Sequence, residues 1–366
     1  MQSRSRQVYI SFALIFGLLC VYVTLVTFSG LTRPVIQYAA AGNIFTRVVK
    51  SETGTPAILF IGDILLARDV ERKMLEHGVS HPFLGVNSLF KEAAVVANFE
   101  ASVPNAHLPT PDLSTVFSVD SELLDGLAGS GVTHLSLANN HSFDYGTVGF
   151  NSTSQVLERR GFDVFGHPQQ NATTTSVSYI SLAGTTIALI ALNDIVPGGV
   201  SHDWRAVLTE ASAHSDRQIV FIHWGEEYQT THSKRQEELA YEFVAAGVDA
   251  IIGHHPHVVQ DIGFIHDVPV FYSLGNFIFD QYFSESVQEG LVVRLDANNA
   301  ELGFSLIPVS SLASRAQPHP MGEADRSRFL SELAKQSDQT LFSDISTGFI
   351  AWKSTKQQFA ISPRIR

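Results

Sequence analysis

Three stretches decide the fold: QIVFIHWG at residues 218–225, KRQEELAYEFVAAG at 234–247 and AIIGHHPH at 250–257. The first and third are short, rich in Ile and Val, and open without polar alternation, so they read as strands buried on both faces. The second repeats its apolar residues at helical spacing. Strand, helix and strand in succession is the unit of a parallel sheet, and each strand here ends in histidine.

The alternation continues outward. Upstream lie AILFIGD (57–63), AVVANFE (94–100), THLSLANNH (133–141) and TIALIALND (186–194), with helical stretches such as RDVERKMLEHG (68–78) and GFNSTSQVLERRG (149–161) between them. Downstream come PVFYSLGNF (269–277), LVVRLD (291–296) and LGFSLIPV (302–309), the last two without an intervening helix, which predicts antiparallel pairing. The pattern is that of an α/β domain with mixed strand directions.

Composition narrows the function. The chain has 366 residues, is 45% hydrophobic and carries a formal charge of −12, so it lacks the clustered Lys and Arg that nucleic-acid binding needs. Its one cysteine, Cys20, lies inside an apolar run, which excludes an internal disulfide and a thiol nucleophile in the domain. That run, VYISFALIFGLLCVYVTLVTF at 8–28, is uncharged and long enough to cross a bilayer as an uncleaved anchor. Arg4 and Arg6 before it nearly balance Arg33 and Arg47 after it, and lean slightly toward a cytoplasmic amino terminus. The expected organisation is a short tail at 1–7, a transmembrane anchor at 8–30, a linker at 31–55, a domain at 56–310 and a C-terminal appendage at 311–366.

Polar clusters sit at the ends of the apolar runs: Asp63, Asn98 with Glu100, Asn139-Asn140-His141, His223, His254-His255 with His257, and Asn276. In α/β sheets, ligands bind beyond the carboxyl ends of strands, so these residues are expected to converge. Carboxylate, imidazole and amide oxygen without thiolate suit two divalent ions such as Mn, Fe or Zn. His255-Pro256-His257, read as an extended segment, sends both imidazoles the same way. The residues expected to build the site are Asp63, Glu100, Asn140, His141, His223, His255 and His257, and His141 could protonate a leaving group. Ordinary alternatives stand beside these readings. Asp63 could cap a helix, Asn139-Asn140 could form a turn, and Asp144 either orients His141 or starts the turn before Gly146. Arg68, Asn98, His254 and Asn276 are the candidates to touch substrate. Glu226 and Glu227 point oppositely if extended, so at most one faces the site. Phosphate-loop, dinucleotide-fingerprint, nucleophile-elbow and HExxH motifs are absent.

These blocks resemble the CapA family of capsule and poly-γ-glutamate biosynthesis proteins. The resemblance rests on Gly62-Asp63 with Arg68, Asn98-Phe99-Glu100, Asn139-Asn140-His141 with Asp144 and Gly146, His223-Trp224-Gly225 with Glu227-Tyr228, Gly253 to Val258 with Gln260, and Tyr272 to Phe277 with Asp280. It implies a metallophosphoesterase-like sandwich of two mixed sheets flanked by helices. It also implies Asn140, His223, His255 and His257 as ligands and His141 as the acid. Related metallophosphoesterases usually carry Asp and His two residues apart in the first motif, whereas Ile64 and Leu65 follow Asp63 here. The family implies a single-pass protein of the bacterial plasma membrane, its domain outside the cytoplasm, working on an anionic capsule polymer or its precursor with other membrane subunits. An enzyme is one expectation; a non-catalytic, polymer-binding accessory subunit is the alternative.

Overall fold

The structure is a computed structural model and describes residues 37–41, 44–49, 57–91, 93–169, 174–200, 203–298 and 301–352. In chain order its strands are β1 (Gln37–Ala41), β2 (Ile44–Val49), β3 (Ala57–Ile64), β4 (Ala93–Phe99), β5 (His134–Ser136), β6 (Asp163–Phe165), β7 (Val177–Leu182), β8 (Thr185–Asn193) and β9 (Arg217–His223). They continue as β10 (Ala250–His254), β11 (Ile262–Ile265), β12 (Val268–Phe271), β13 (Asn276–Ile278), β14 (Glu289–Asn298), β15 (Glu301–Ser310), β16 (His319–Pro320) and β17 (Phe349–Trp352). The α-helices are α1 (Asp69–His77), α2 (Leu124–Ser130), α3 (Gly146–Arg159), α4 (Trp204–Ala213), α5 (Lys234–Ala245), α6 (Glu323–Gln336) and α7 (Phe342–Thr347).

The strands form two sheets. One runs β1-β2-β7-β8-β9-β10-β12-β11; the other runs β16-β15-β14-β3-β4-β5-β6, with β13 beside the end of β3 and β17 beside β15. Each has a parallel centre, β8-β9-β10-β12 or β3-β4-β5-β6, and antiparallel pairs toward an edge. The expected mixed two-sheet α/β architecture is the one observed.

Strand parity distributes the apolar side chains into layers. In β3, Ile58 and Phe60 face the other sheet while Ala57, Leu59 and Ile61 join Val70 of α1, Leu127 of α2 and Leu157 of α3. In β9, Ile219 and Phe221 face inward while Val220 and Ile222 pack with Trp204 of α4 and Phe243 of α5. The Phe60 and Phe221 rings lie 6.4 Å apart between the sheets. Burial on both faces is why these runs carry no polar alternation.

Two expectations change. Residues 31–55 include β1 and β2, which extend the first sheet, so this stretch is more than a linker. The segment read as an appendage belongs to the sandwich as far as Trp352: Phe329, Leu330 and Leu333 of α6 and Ile345 of α7 fill the inter-sheet core, and β17 pairs with β15. Its amphipathic stripe required a partner surface, and β15 of one sheet and β11 of the other provide it. The expected anchor at 8–30 lies outside the described residues; among those described, no helix is long and apolar enough to cross a membrane.

The sheets are tied together where β3 and β10 finish. The chain crosses from β12 to β13 through Ser273–Gly275: Leu274 N donates to Gly253 O (3.1 Å), and Asp63 N donates to Gly275 O (3.0 Å). This crossing requires glycines. A Cβ on Gly62 would lie 2.0 Å from Gly275 O, and one on Gly253 2.0 Å from Tyr272 O. At the opposite end of the first sheet, Gln37 is paired with Val48, Val48 with Ser181 and Ser181 with Thr186, so β1 begins level with the start of β8, two strands intervening. Gly253→Ala is expected to destabilise the protein by at least about 1–3 kcal/mol through overpacking against backbone. Urea denaturation would register this as a lower midpoint, and an unchanged midpoint would contradict the close crossing.

Candidate metal centre

The polar strand ends meet at one pole of the sandwich. Asp63 closes β3, Asn98 and Glu100 close β4, Asn139 to His141 follow β5, His223 closes β9, and His254 to His257 follow β10. Asp63, Glu100, His223, His255 and His257 are all buried.

Hydrogen bonds fix the direction of the amides. Asn139 Oδ1 accepts from the amides of His141 (3.1 Å) and Ser142 (2.9 Å), so its Nδ2 is the donor to Asn98 Oδ1 (3.0 Å) and Phe99 O (2.8 Å). Asn98 Nδ2 therefore points the other way, at Asp63 Oδ1 (2.9 Å), Glu100 Oε1 (2.9 Å) and His223 Nδ1 (3.2 Å). Its two hydrogens face three acceptors. With Nδ1 accepting, His223 Nε2 donates to Asn140 Oδ1 (2.8 Å), Asn140 Nδ2 donates to His141 Nε2 (3.0 Å), and His141 Nδ1 donates to Asp144 Oδ2 (3.1 Å). Asp144 thus holds the His141 ring, and its Oδ2 also accepts from the amide of Phe117 (2.7 Å) in a neighbouring loop.

His257 is oriented in the same way. Asn276 Nδ2 donates to Gln281 Oε1 and Val287 O, so its Oδ1 accepts from His257 Nδ1 (2.9 Å) and leaves Nε2 as the bare nitrogen. The expectation of an extended His255-Pro256-His257 segment is corrected: both histidines have positive φ, 98° and 58°. The left-handed backbone, and not strand parity, aims the two rings. Arg68 (φ 55°) and Tyr228 (φ 64°) border the same site, which concentrates strain of about 1–3 kcal/mol per residue there.

Among the described residues, two groups have ligand atoms that all lie within 4.8 Å of one another inside the group: Asp63, Glu100 and His257, and Glu227, His255 and His257. The donor set fits metal, because acceptors outnumber donors. Glu100 Oε2 and His255 Nδ1 are buried without a hydrogen-bond partner, a state that costs about 1–3 kcal/mol per group. Burial lifts Asp63 to about 7, and burial with the charge of Asp63 lifts Glu100 well above the carboxylate range. Burial lowers His255 to about 4 and His257 to about 3, which keeps both neutral and able to coordinate. His223 is likewise lowered by burial and by the neighbouring imidazoles.

The proposed substrate contacts divide. Asn98 and Asn276 are buried and committed to orienting other side chains. His254 faces the inter-sheet core, its Nε2 donating to Ile61 O (3.1 Å) and its ring packed on Phe221. Arg68 remains at the site, ion-paired with Asp280 and lying over the Phe117 and Phe279 rings (4.7 and 5.8 Å). Those rings pack on His141 (4.2 Å) and His257 (4.7 Å). Phe117 belongs to a long loop that carried no sequence signal. Glu227 was visible in the motif, but choosing it over Glu226 required the turn geometry.

The profile of the family described as "Bacterial capsule synthesis protein PGA_cap" matches residues 57–281, a span that holds every one of these side chains. The chain belongs to this family. Among PGA_cap relatives, the PGA biosynthesis protein CapA of Bacillus subtilis is 30% identical over 295 residues, covering 76% of this chain and 78% of that protein. The capsule biosynthesis protein CapA of Bacillus anthracis is 29% identical, covering 76% and 73%. A probable polyglutamine synthesis accessory protein of Mycobacterium tuberculosis is 21% identical over 169 residues, covering 40% and 44%. The resemblance to CapA proteins in the sequence is thus a family relationship.

The PGA_cap site makes stability depend on pH. Above about pH 7 the histidines are largely neutral in both the folded and the unfolded chain, so the carboxylates dominate. Asp63 and Glu100 hold protons more tightly when folded, and this contribution is lost as pH rises through about 7. Thermal unfolding of the metal-free protein is expected at lower temperature at about pH 8.5 than at about pH 7. A divalent ion should remove the difference; a flat metal-free profile would contradict the burial of both acids.

Proposed function

We propose that this chain is a divalent-metal-dependent, phosphoesterase-like hydrolase acting in synthesis, attachment or export of an anionic capsule polymer of the poly-γ-glutamate type. One observation carries the reading: His141, hydrogen-bonded to Asp144, stands beside two carboxylate and imidazole clusters without belonging to either. That is the position of an acid which coordinates nothing.

Asp63, Glu100, Asn140, His223, His255 and His257 are the proposed ligands of two ions, with Mn, Fe and Zn all compatible with the donor types. Ions bound there would supply an ionised water near neutral pH and counter-charge for the oxygens of the group under attack. Asn140 and His223 would exchange their mutual hydrogen bond for coordination. Asp144 holds a proton on His141 Nδ1, so once Nε2 is released from Asn140 and protonated, the proton delivered to a leaving group would depart from Nε2. Phe117 fixes the plane of that ring. Arg68, with Nε unpartnered and its charge balanced by Asp280, is the proposed anchor for an anionic group of the substrate.

The proposal places residues 8–30 in the plasma membrane, the domain outside the cytoplasm, and other membrane subunits of polymer synthesis as partners. An accessory, non-catalytic role is the second reading, favoured by the name of the mycobacterial relative.

Elemental analysis of the full-length chain in detergent should find about two divalent ions. A His255→Ala/His257→Ala variant should lose them. His141→Gln should keep the ions yet hydrolyse a chromogenic phosphodiester or a γ-glutamyl substrate about 10²–10⁴-fold more slowly. A metal-loaded wild type inactive on both would sink the hydrolase and leave the accessory role.

A further inference from the structure

Resting on the metal reading above, the structure raises the question of what holds the second ion. Asp63 and Glu100 group with His257 but not with His255. Ile64 and Leu65, which follow Asp63, are fully buried in the apolar layer beneath the helices and offer no ligand. His255 would therefore face an ion with no carboxylate of its own, except for Glu227.

We propose that Glu227 closes this second site with His255 and His257, in place of an imidazole in the first motif, and that Gln260 is the residue that positions it. The turn carrying Glu227 is exposed but its backbone is held. Gly225 (φ 87°) and Tyr228 (φ 64°) bend the chain on either side, and the amide of Tyr228 donates to the carbonyl of Pro256 (2.8 Å), the residue between the two histidines. Before the turn, Trp224 N donates to His254 O (3.1 Å) and Trp224 Nε1 to Tyr272 O (2.8 Å).

After the turn, buried Gln260 donates through Nε2 to the carbonyls of Gln229 (3.0 Å) and Thr231 (3.1 Å), while Gln236 Nε2 donates to its Oε1. Asp261 accepts from both the amide and the Nδ1 of His232. The segment bearing His255 and His257 thus clamps the turn bearing Glu227, so the three ligands move as one unit. Glu226 shares the turn and its exposure but belongs to neither group of ligand atoms, and it provides the control.

The test is calorimetric titration of the full-length chain in detergent with Mn²⁺ alone, comparing wild type, Glu227→Gln, Glu226→Gln and Gln260→Ala. Glu227→Gln is expected to keep one ion at wild-type affinity and to weaken the other about tenfold or more. Gln260→Ala should weaken the same ion, and Glu226→Gln should titrate as wild type. Unfolding temperatures of metal-free Glu227→Gln and wild type should agree, because the side chain is exposed. Two ions retained unchanged in Glu227→Gln, equal weakening of both, or the same effect from Glu226→Gln would overturn this assignment while leaving the metal centre standing. A wild type that binds no Mn²⁺ would overturn both.

Discussion

The crossing of the chain between the sheets at Ser273–Gly275 is the constraint on which the rest of the molecule depends. Two backbone hydrogen bonds, one to each sheet, hold the ends of β3 and β10 together. They can form only because Gly62 and Gly253 present no side chain. The same passage delivers Asn276 to His257 and Asp63 to the amide of His255 (3.3 Å), so this close packing and the geometry of the candidate ligands are one feature. A looser crossing would separate residues 63 and 255 before it disturbed either sheet.

Around this seam the protein accepts an electrostatic deficit. Two buried carboxylates and several neutral imidazoles share too few donors, and left-handed residues ring the site. Such an arrangement opposes folding locally and persists because the three apolar layers on either side over-determine it. A bound cation, as proposed, would relieve the deficit without asking the scaffold to move.

Much of this was legible in the chain. Strands buried on both faces write continuous apolar runs, and a functional pole writes polar residues at their ends. Parity could even have separated His254 from its neighbours. It continues the face of Ala250 and Ile252, which look into the inter-sheet core, and its imidazole is accordingly spent on Ile61 O. Other features left no trace. Alternation cannot choose between Glu226 and Glu227 inside a turn built on two positive φ values, nor can it aim His255 and His257. The stripe of α6 announces a buried face but not the sheet pair that receives it. Phe117 reaches His141 from a loop whose path depends on distant pairings, including His107 between Glu71 and Ser118.

The pairing of β1 also bears on the proposed anchor. Across β2 and β7, Gln37 lies level with the start of β8, whereas the candidate metal ligands gather beyond the opposite strand ends, so β1 enters the sheet at its foot. With residues 8–30 as the proposed anchor, only eight residues at most (29–36, with the anchor ending at Phe28) separate bilayer and foot, a reach of about 30 Å at full extension. That is about the length of β8 itself, nine residues. A tether that short cannot lead back up the flank and still turn the mouth toward the lipid. The protein would stand on the membrane like a lamp on its post, working on what passes outside rather than on the surface below.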